Sequence, residues 1–316
     1  MSLALVFSPQ GSQSVGMGRE LASGSAGAQA VFAEADAVLG WSVSAVCWEG
    51  PEERLSDTRQ TQPCLLTTSV AALTALEERA VLRPAYLAGH SVGEYAALVA
   101  AGVLEFAAAL RLVARRAELM ARADAEGGMA AIIGLSRQAV DRVVDGVGRP
   151  TELVVANDNA PGQVVISGSR EALEAAEASL RSAGARRVIR LPVSGAFHSP
   201  LMAGVAEELA AAFESETWRD ARVPVVSNVS AEPLTDADRL RALLAEQVRS
   251  PVEWVRCVER MAADGVDTFI ELGSGAALVG MVRRIVPDAR AEAVGDLAGL
   301  AAAEELLGSP AGASAS

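Results

Sequence analysis

The chain has 316 residues, of which 51% are hydrophobic, and its formal net charge is −13. These values favour a globular protein with a sizeable core, and the negative charge disfavours a nucleic-acid-binding role. The sequence contains no lysine and two histidines, so a Schiff-base amine, a P-loop lysine and a three-histidine metal site are excluded.

The cellular location is predicted from the lack of a membrane-spanning run and of a signal peptide in the sequence. No apolar run reaches the roughly 18 to 20 residues of a membrane span, and the first residues carry no basic segment typical of a signal peptide. Cys47, Cys64 and Cys257 are scattered and predict reduced, buried thiols. We expect a cytoplasmic enzyme with no membrane contact and no bound metal.

The first part of the chain alternates predicted strands and helices. Residues 3–7 predict a strand, and a polar loop at 8–13 leads into helical spacing. Residues 61–80 predict a helix, 84–88 a short buried strand and 94–101 a helix. Because strands alternating with helices are typical of α/β folds, the sequence predicts a parallel sheet.

The middle of the chain has a different order, β-α-β-β-α-β, which is the pattern of a ferredoxin-like unit. Its predicted elements are strand 129–134, helix 137–147, strands 153–156 and 163–167, helix 171–183 and strand 187–191.

We therefore predict a small subdomain at 127–193, inserted into a larger catalytic subdomain at 1–126 and 194–308. Strands predicted at 223–227 and 267–272 resume the α/β pattern, and 309–316 are predicted to be a disordered tail.

The pentapeptide Gly-His-Ser-Val-Gly at residues 89–93 lies between a predicted strand and a predicted helix. This is the context of a nucleophile elbow, in which glycines allow a sharp turn that exposes the serine oxygen. Ser91 is the candidate nucleophile, and the N–H of Val92 at the helix N-terminus is a candidate oxyanion donor. The pattern predicts acyl transfer or hydrolysis.

A serine nucleophile needs a base, and the chain offers His90 and His198. His90 adjoins Ser91, and neighbours on a tight turn generally point apart, so we prefer His198. It lies in a loop between the last strand of the small subdomain and a helix predicted at 201–213. A lone histidine in such a loop often merely packs, but the scarcity of histidine favours the catalytic interpretation.

Several motifs in order now resemble one family. They are Gln-Gly-Ser-Gln at 10–13, Gly-His-Ser-Val-Gly-Glu-Tyr at 89–95, Gly-Ala-Phe-His-Ser at 195–199 and Gln-Val-Arg-Ser-Pro-Val-Glu-Trp at 247–254. The chain resembles the malonyl-CoA:acyl carrier protein transacylase family, bacterial fatty-acid-synthesis type, over nearly its whole length. The resemblance implies an α/β fold: an α/β-hydrolase-like large subdomain with a parallel sheet and an inserted ferredoxin-like small subdomain.

The resemblance also implies roles for individual residues. Ser91 matches the family's nucleophile and His198 its base, and the main-chain carbonyl of Gln247 is expected to orient the imidazole in place of an acid. Gln10 matches the residue whose backbone N–H joins that of Val92 in the oxyanion hole.

Substrate recognition is implied at two positions. Arg116 matches the arginine that holds the malonyl carboxylate, and a shift of one residue would give this role to Arg115. Phe197 resembles the bulky residue of malonyl-selective members. One departure is visible, because Pro9 stands where members usually have glycine before the glutamine, and its fixed φ bears on the loop that supplies the Gln10 N–H.

The implied reaction moves a malonyl group from malonyl-CoA to Ser91 and then to the phosphopantetheine thiol of holo-acyl carrier protein. We expect a monomer that needs no cofactor beyond these substrates. An acidic enzyme with acidic partners should carry a local basic rim. Its candidate members are Arg186, Arg187, Arg190, Arg283 and Arg284.

Three alternatives remain open at this stage: a serine hydrolase, a polyketide-type acyltransferase with another extender unit, and a non-catalytic carrier-binding module. A hydrolase would normally add an acid to the triad and would not need Arg116. Phe197 argues for malonyl over methylmalonyl, and the presence of Ser91 and His198 argues against a binding module. Whether the carrier serves fatty acid or polyketide synthesis is open.

Overall fold

The computed structural model describes residues 2–123, 127–193 and 195–308. Within these ranges the chain forms ten strands and fourteen α-helices. The strands are β1 Leu3–Phe7, β2 Pro84–Gly89, β3 Gly127–Ile133, β4 Leu153–Ala160, β5 Gln163–Ser169, β6 Arg187–Arg190, β7 Val225–Val226, β8 Pro233–Leu234, β9 Thr268–Leu272 and β10 Arg290–Val294.

The helices surround and connect these strands. They are α1 Arg19–Gly24, α2 Ala26–Leu39, α3 Val43–Glu49, α4 Glu52–Ser56, α5 Thr58–Glu77, α6 Gly93–Ala100, α7 Phe106–Arg122, α8 Arg137–Val147, α9 Arg170–Ser182, α10 Ala203–Phe213, α11 Ala237–Gln247, α12 Trp254–Ala263, α13 Ala277–Ile285 and α14 Leu297–Gly308. None of the helices in the described ranges has the length and apolar character needed to cross a membrane.

The larger sheet has the strand order β10-β9-β1-β2-β7-β8. Its neighbouring strands pair in parallel, apart from the short antiparallel pair β7–β8. The central strand β1 is buried at every position, as expected for a strand covered by helices on both faces. Because the strands are parallel, the loops after β1, β2, β7 and β9 emerge at one edge of the sheet, which is where open α/β sheets bind ligands.

The smaller sheet is antiparallel, with the order β4-β5-β3-β6. Together with α8 and α9 it completes the predicted β-α-β-β-α-β order between Gly127 and Arg190. Its core is a separate cluster that includes Ile132, Ile166 and Leu180. The predicted fold class is confirmed. The boundaries at 126/127 and 193/194 stay a prediction, and residues 124–126, 194 and the tail 309–316 lie outside the described residues.

Several predicted elements differ in extent. Strand β4 continues to Ala160 instead of ending at 156, and α5 spans Thr58–Glu77 instead of 61–80. The strand predicted at 223–227 is reduced to the two residues of β7, because the chain turns at Ser227, whose carbonyl accepts the N–H of Ala231. The helix predicted at 201–213 begins as the 3-10 turn Pro200–Met202 before α10 starts. A 3-10 turn is common at a helix N-terminus. The strands β8 and β10 and the helix α14 were not predicted.

Candidate active site

The turn that carries Ser91 joins β2 to α6 and depends on two close backbone approaches. A Cβ on Gly89 would lie 1.9 Å from the carbonyl carbon of Gly93, and a Cβ on Gly93 would lie 2.2 Å from the carbonyl oxygen of Phe7. Ser91 itself has φ 53°, a left-handed conformation that costs a non-glycine residue about 1–3 kcal/mol. The strained turn lifts the serine above the end of the sheet.

The Ser91 hydroxyl contacts an imidazole and a guanidinium. Its Oγ lies 2.8 Å from Nε2 of His198, and Nη2 of Arg116 donates to the same Oγ at 3.0 Å. Since the arginine can only donate, the serine hydroxyl directs its own hydrogen toward His198. The sequence positions of these three residues are far apart, and the fold brings them within hydrogen-bond distance.

The His198 ring is oriented by main-chain carbonyls. Its Nδ1 lies 2.8 Å from the oxygen of Gln247 and 3.2 Å from the oxygen of Ser250. Carbonyls only accept, so Nδ1 carries the hydrogen and Nε2 is left to accept from Ser91. Gln247 is the last residue of α11, and a carbonyl at a helix C-terminus carries partial negative charge. This charge can orient and stabilise the imidazole as the acid of a triad would.

The proton affinity of His198 is low in the resting site. Burial, followed by the positive charge of Arg116, lowers the pKa of His198 to about 3. The imidazole is therefore neutral at physiological pH and ready to accept a proton. His90 does not contact the serine hydroxyl: its Nε2 lies 2.8 Å from Oδ1 of Asn159, and burial lowers the pKa of His90 to about 4.

Arg116 enters the site from the buried face of α7. Its side chain is 1% exposed, and Nη1 donates to Oε1 of Gln62 at 2.6 Å while Nη2 also reaches Oε1 of Gln247 at 3.1 Å. The guanidinium carbon lies 5.8 Å from the ring centre of Tyr95, within cation–π range. Burial lowers the pKa of Arg116 from its ordinary value, yet the group stays charged.

Arg115, the alternative register, lies on the solvent side of the same helix. It pairs with Glu118 at 3.0 Å and with Glu208 at 2.7 Å, and its side chain is 36% exposed. The geometry favours Arg116 as the arginine that meets a substrate.

The loop after β1 supplies the Gln10 N–H. The carbonyl of Pro9 accepts the N–H of Ser12 at 3.3 Å, and Gly11 has φ +98°, so residues 9–12 form a β-turn with glycine at the position that requires a positive φ. Neither the N–H of Gln10 nor that of Val92 donates a hydrogen bond to a residue that the structure describes. Both remain available as donors to an oxyanion.

A cavity of about 160 Å³ opens beside Ser91 and His198. The other residues that line it come from the small sheet, from the loops after β1 and β6 and from α13, and include Gln10, Met129, Asn157, Asn159, Val165, Leu191, Phe197 and Met281. Phe197 is 4% exposed and forms part of this wall. A small acyl group attached to Ser91 would be held between these side chains.

The chain is similar to known proteins over nearly its whole length. The model of the acyl transferase domain family matches residues 4–305. The malonyl CoA-acyl carrier protein transacylase of Escherichia coli K12 is 43% identical over 305 residues, which are 96% of this chain and 99% of the relative.

Solved structures agree with this match. The crystal structure of an acyl carrier protein S-malonyltransferase from Vibrio cholerae superimposes with a TM-score of 0.93 at 42% identity, covering 96% of this chain and 100% of that one. A malonyl-transacylase solved in complex with a type II PKS acyl-carrier protein has a TM-score of 0.93 at 41% identity, covering 97% and 100%.

This chain belongs to the malonyl-CoA:acyl carrier protein transacylase family. Membership confirms the resemblance that the ordered motifs indicated, and the chain spans almost the full length of these transacylase relatives.

Several polar residues of this transacylase site were not assigned a role from the sequence. Asn228 follows β7 and holds the elbow: its Oδ1 accepts the N–H of Ser91 at 2.7 Å, and its Nδ2 donates to the oxygen of Gly89 at 2.6 Å. Gln62, on α5, binds Arg116. The sequence Asn-Val-Ser at 228–230 is a further point of resemblance to the family, but no sequence signal distinguishes Gln62 from other polar residues on a helix.

Proposed function

We propose that this chain is an acyltransferase that moves a malonyl group from malonyl-CoA to the phosphopantetheine thiol of acyl carrier protein, through an ester on Ser91. One observation carries the proposal: a buried guanidinium lies 3.0 Å from the oxygen of a serine that is also 2.8 Å from a neutral imidazole. An acyl group with a free carboxylate matches that pair of a nucleophile and a cation.

The first half-reaction forms the ester. His198 takes the proton of Ser91 as the serine oxygen attacks the thioester carbonyl of malonyl-CoA, and the N–H groups of Gln10 and Val92 stabilise the oxyanion. The tetrahedral intermediate collapses, the C–S bond breaks, and the thiol of coenzyme A leaves with the proton held by His198. Arg116 turns from the serine oxygen to the malonyl carboxylate.

The second half-reaction reverses these steps with another thiol. The phosphopantetheine thiol of the carrier gives its proton to His198 and attacks the malonyl ester, and the C–O bond to Ser91 breaks as the serine regains a proton. The kinetics are therefore ping-pong. A malonyl carboxylate paired with Arg116 and the wall formed by Phe197 leave little room for an attacking water.

The carrier is expected to approach the mouth of the cavity along exposed arginines. Arg190 precedes Leu191, and Arg284 lies one turn after Met281, so both arginines adjoin residues that line the cavity. Arg186, Arg187 and Arg283 are also exposed. On an acidic protein this local positive charge would attract an acidic carrier and the phosphates of coenzyme A. We further propose that the enzyme works as a cytoplasmic monomer without a cofactor.

Intact mass spectrometry tests the proposal. The purified protein is mixed briefly with malonyl-CoA, and holo-acyl carrier protein is then added. The expected result is a malonyl adduct on the wild type, absent from Ser91→Ala, that passes to the carrier. Rapid release of free malonate without an adduct would identify a hydrolase, and no reaction at all would overturn the assignment of malonyl-CoA as donor.

A further inference from the structure

The carboxylate of Glu94 has no part in the steps above, yet it lies directly beneath the site. Glu94 is the second residue of α6 and is 2% exposed. It accepts a hydrogen bond from Nε2 of Gln247 at 2.6 Å and from the backbone N–H of Asn228 at 3.3 Å. A single carboxylate oxygen thus joins the end of α11 to the loop after β7.

The hydrogen-bond partners of the Gln247 side chain decide which way its amide faces. Its Nε2 also donates to the main-chain oxygen of Ser91 at 3.0 Å, and its Oε1 accepts from Arg116 at 3.1 Å. A carboxylate and a main-chain carbonyl only accept, so Glu94, at the shorter distance, and Ser91 both require the NH₂ group on their side, and the amide oxygen is left facing the guanidinium. With the amide reversed, the NH₂ group would face Arg116, and one arginine donor would lose its acceptor.

The same arrangement keeps Arg116 available to a substrate. Among the described residues Arg116 forms no ion pair with a carboxylate, although Glu94 lies close enough to favour its charge. A direct ion pair would occupy the guanidinium. The amide of Gln247 lies between Glu94 and Arg116 and hydrogen-bonds both, so Nη2 of Arg116 remains directed at the serine oxygen.

We propose that Glu94 is a positioning residue that fixes the amide of Gln247 and thereby aims Arg116 at the carboxylate of the acyl group on Ser91. The inference rests on the proposed malonyl transfer. It requires that loss of Glu94 should harm donors with a free carboxylate more than donors without one, because the effect travels through Arg116.

The test compares acyl-enzyme formation from malonyl-CoA and from acetyl-CoA in Glu94→Ala and Glu94→Gln, with the exposed Glu34→Gln as the matched control. We expect Glu94→Ala to lower kcat/KM by about 30-fold for malonyl-CoA and by about 3-fold for acetyl-CoA. Glu94→Gln keeps an acceptor oxygen and should stay within about 3-fold of the wild type for both donors. Equal losses with both donors in Glu94→Ala would overturn the proposal.

A double-mutant cycle with Gln247→Ala identifies the route of the effect. If Glu94 acts through the Gln247 side chain, the double variant should lie within about 2-fold of Gln247→Ala alone, and multiplicative losses would contradict this route. Should Glu94→Ala fail to fold, Gln247→Ala must still reduce the preference for malonyl-CoA while Glu94→Gln must not. An inactive wild type would refute the proposed function, whereas an active wild type with unchanged donor preference in the variants would refute this inference alone.

Discussion

At the carboxyl edge of the large sheet, polar side chains are buried and hydrogen-bond one another, whereas the small sheet presents apolar and amide side chains to the same cavity. Ser91 and Asn228 come from strand ends of the large sheet, while Met129, Val165 and Asn159 come from the small one. The first region can form and break bonds, and the second can shape the space around the acyl group. Bond making and the shape of the acyl pocket are therefore carried largely by separate parts of the chain.

The core of the small subdomain is separate on one face of its sheet only. Ile132 and Ile166 pack in a cluster of that subdomain alone, whereas Met129 and Val165, on the other face, pack into the cluster of the large subdomain. His198 lies in the loop that returns from the small subdomain to the large one, and its backbone N–H donates to the carbonyl of Val248 at 2.9 Å. The base is thus anchored on the large side even though the chain reaches it from the small side.

Removal of the nucleophile should have the largest effect. We expect Ser91→Ala to lower the rate of malonyl transfer by at least about 1,000-fold, because no covalent ester can form. Steady-state transfer to holo-acyl carrier protein is the measurement, and the exposed Ser23→Ala is the control. Substantial transfer by Ser91→Ala would show that the nucleophile lies elsewhere, and would contradict the assignment of the chemistry to the edge of the large sheet.

Removal of the carboxylate-binding arginine should cause the second-largest loss of activity. Arg116→Ala should reduce kcat/KM for malonyl-CoA by about 100-fold, as expected for loss of a charge-assisted hydrogen-bond pair, with a smaller loss for acetyl-CoA. Arg115→Ala is the matched control, because Arg115 is on the same helix but faces solvent. Similar losses in both variants would contradict the assignment of Arg116.

The wall of the cavity should affect selectivity more than rate. Replacement of Phe197 by alanine enlarges the space beside Ser91, and we expect the preference for malonyl-CoA over methylmalonyl-CoA to fall by about 10-fold. Competition between the two donors, with the acyl-enzymes resolved by mass, measures the ratio. An unchanged preference would show that residues other than Phe197 exclude the methyl branch.

The pH dependence of acylation should be weak. Because the pKa of His198 is lowered to about 3, the base is already neutral, and kcat/KM should change by less than about 3-fold from that cause between pH 8 and pH 5. Arg116→Ala removes a positive neighbour, so the pKa of His198 should rise and the acid limb should move upward. Burial raises the pKa of Glu94 to about 7, so this group also titrates between pH 5 and pH 8. Glu94→Gln, which does not titrate, is therefore the control variant.

The two buried histidines should make the folded protein less stable as the pH falls, whereas a salt-bridged histidine would make it more stable. His198 and His90 have lower pKa values in the folded protein than in the unfolded chain, so the unfolded chain binds more protons below about pH 6.5. Stability is therefore lost as the pH falls toward the folded values, and Tm should decrease over that range. A limb of the wild-type rate near pH 6.5, without loss of structure, would contradict a depressed pKa for the base.

The smallest effect on chemistry is expected from the core of the small subdomain. Leu180→Ala removes a fully buried side chain and should lower the free energy of unfolding by about 2–5 kcal/mol. We expect kcat of the folded enzyme to change by less than about 2-fold, since Leu180 does not line the cavity. Thermal denaturation and kcat measured below Tm check both parts, and a large fall in kcat would show that the two regions are coupled.

The sequence by itself determined the order of the main elements. Helix α8 spans the predicted residues 137–147, because its amphipathic periodicity and the caps Ser136 and Gly148 define it. Strand β1 spans the predicted residues 3–7, because it is a short continuous apolar run that ends at a polar loop. The short strand β8 was beyond prediction, since two residues carry no periodicity. The elbow at Ser91 was predictable because its glycines meet a steric requirement that few other residues satisfy.

The hydrogen-bond partners of the polar residues depend on the tertiary structure. Gln62 and Glu94 lie on different helices, and nothing in their local sequence indicates that one binds Arg116 and the other fixes the amide of Gln247. Composition likewise cannot show that Arg116 is buried while Arg115 faces solvent. The physical reason is that local sequence sets the conformation of a turn or helix, whereas burial, hydrogen-bond partners and pKa values arise from long-range packing that only the folded chain establishes.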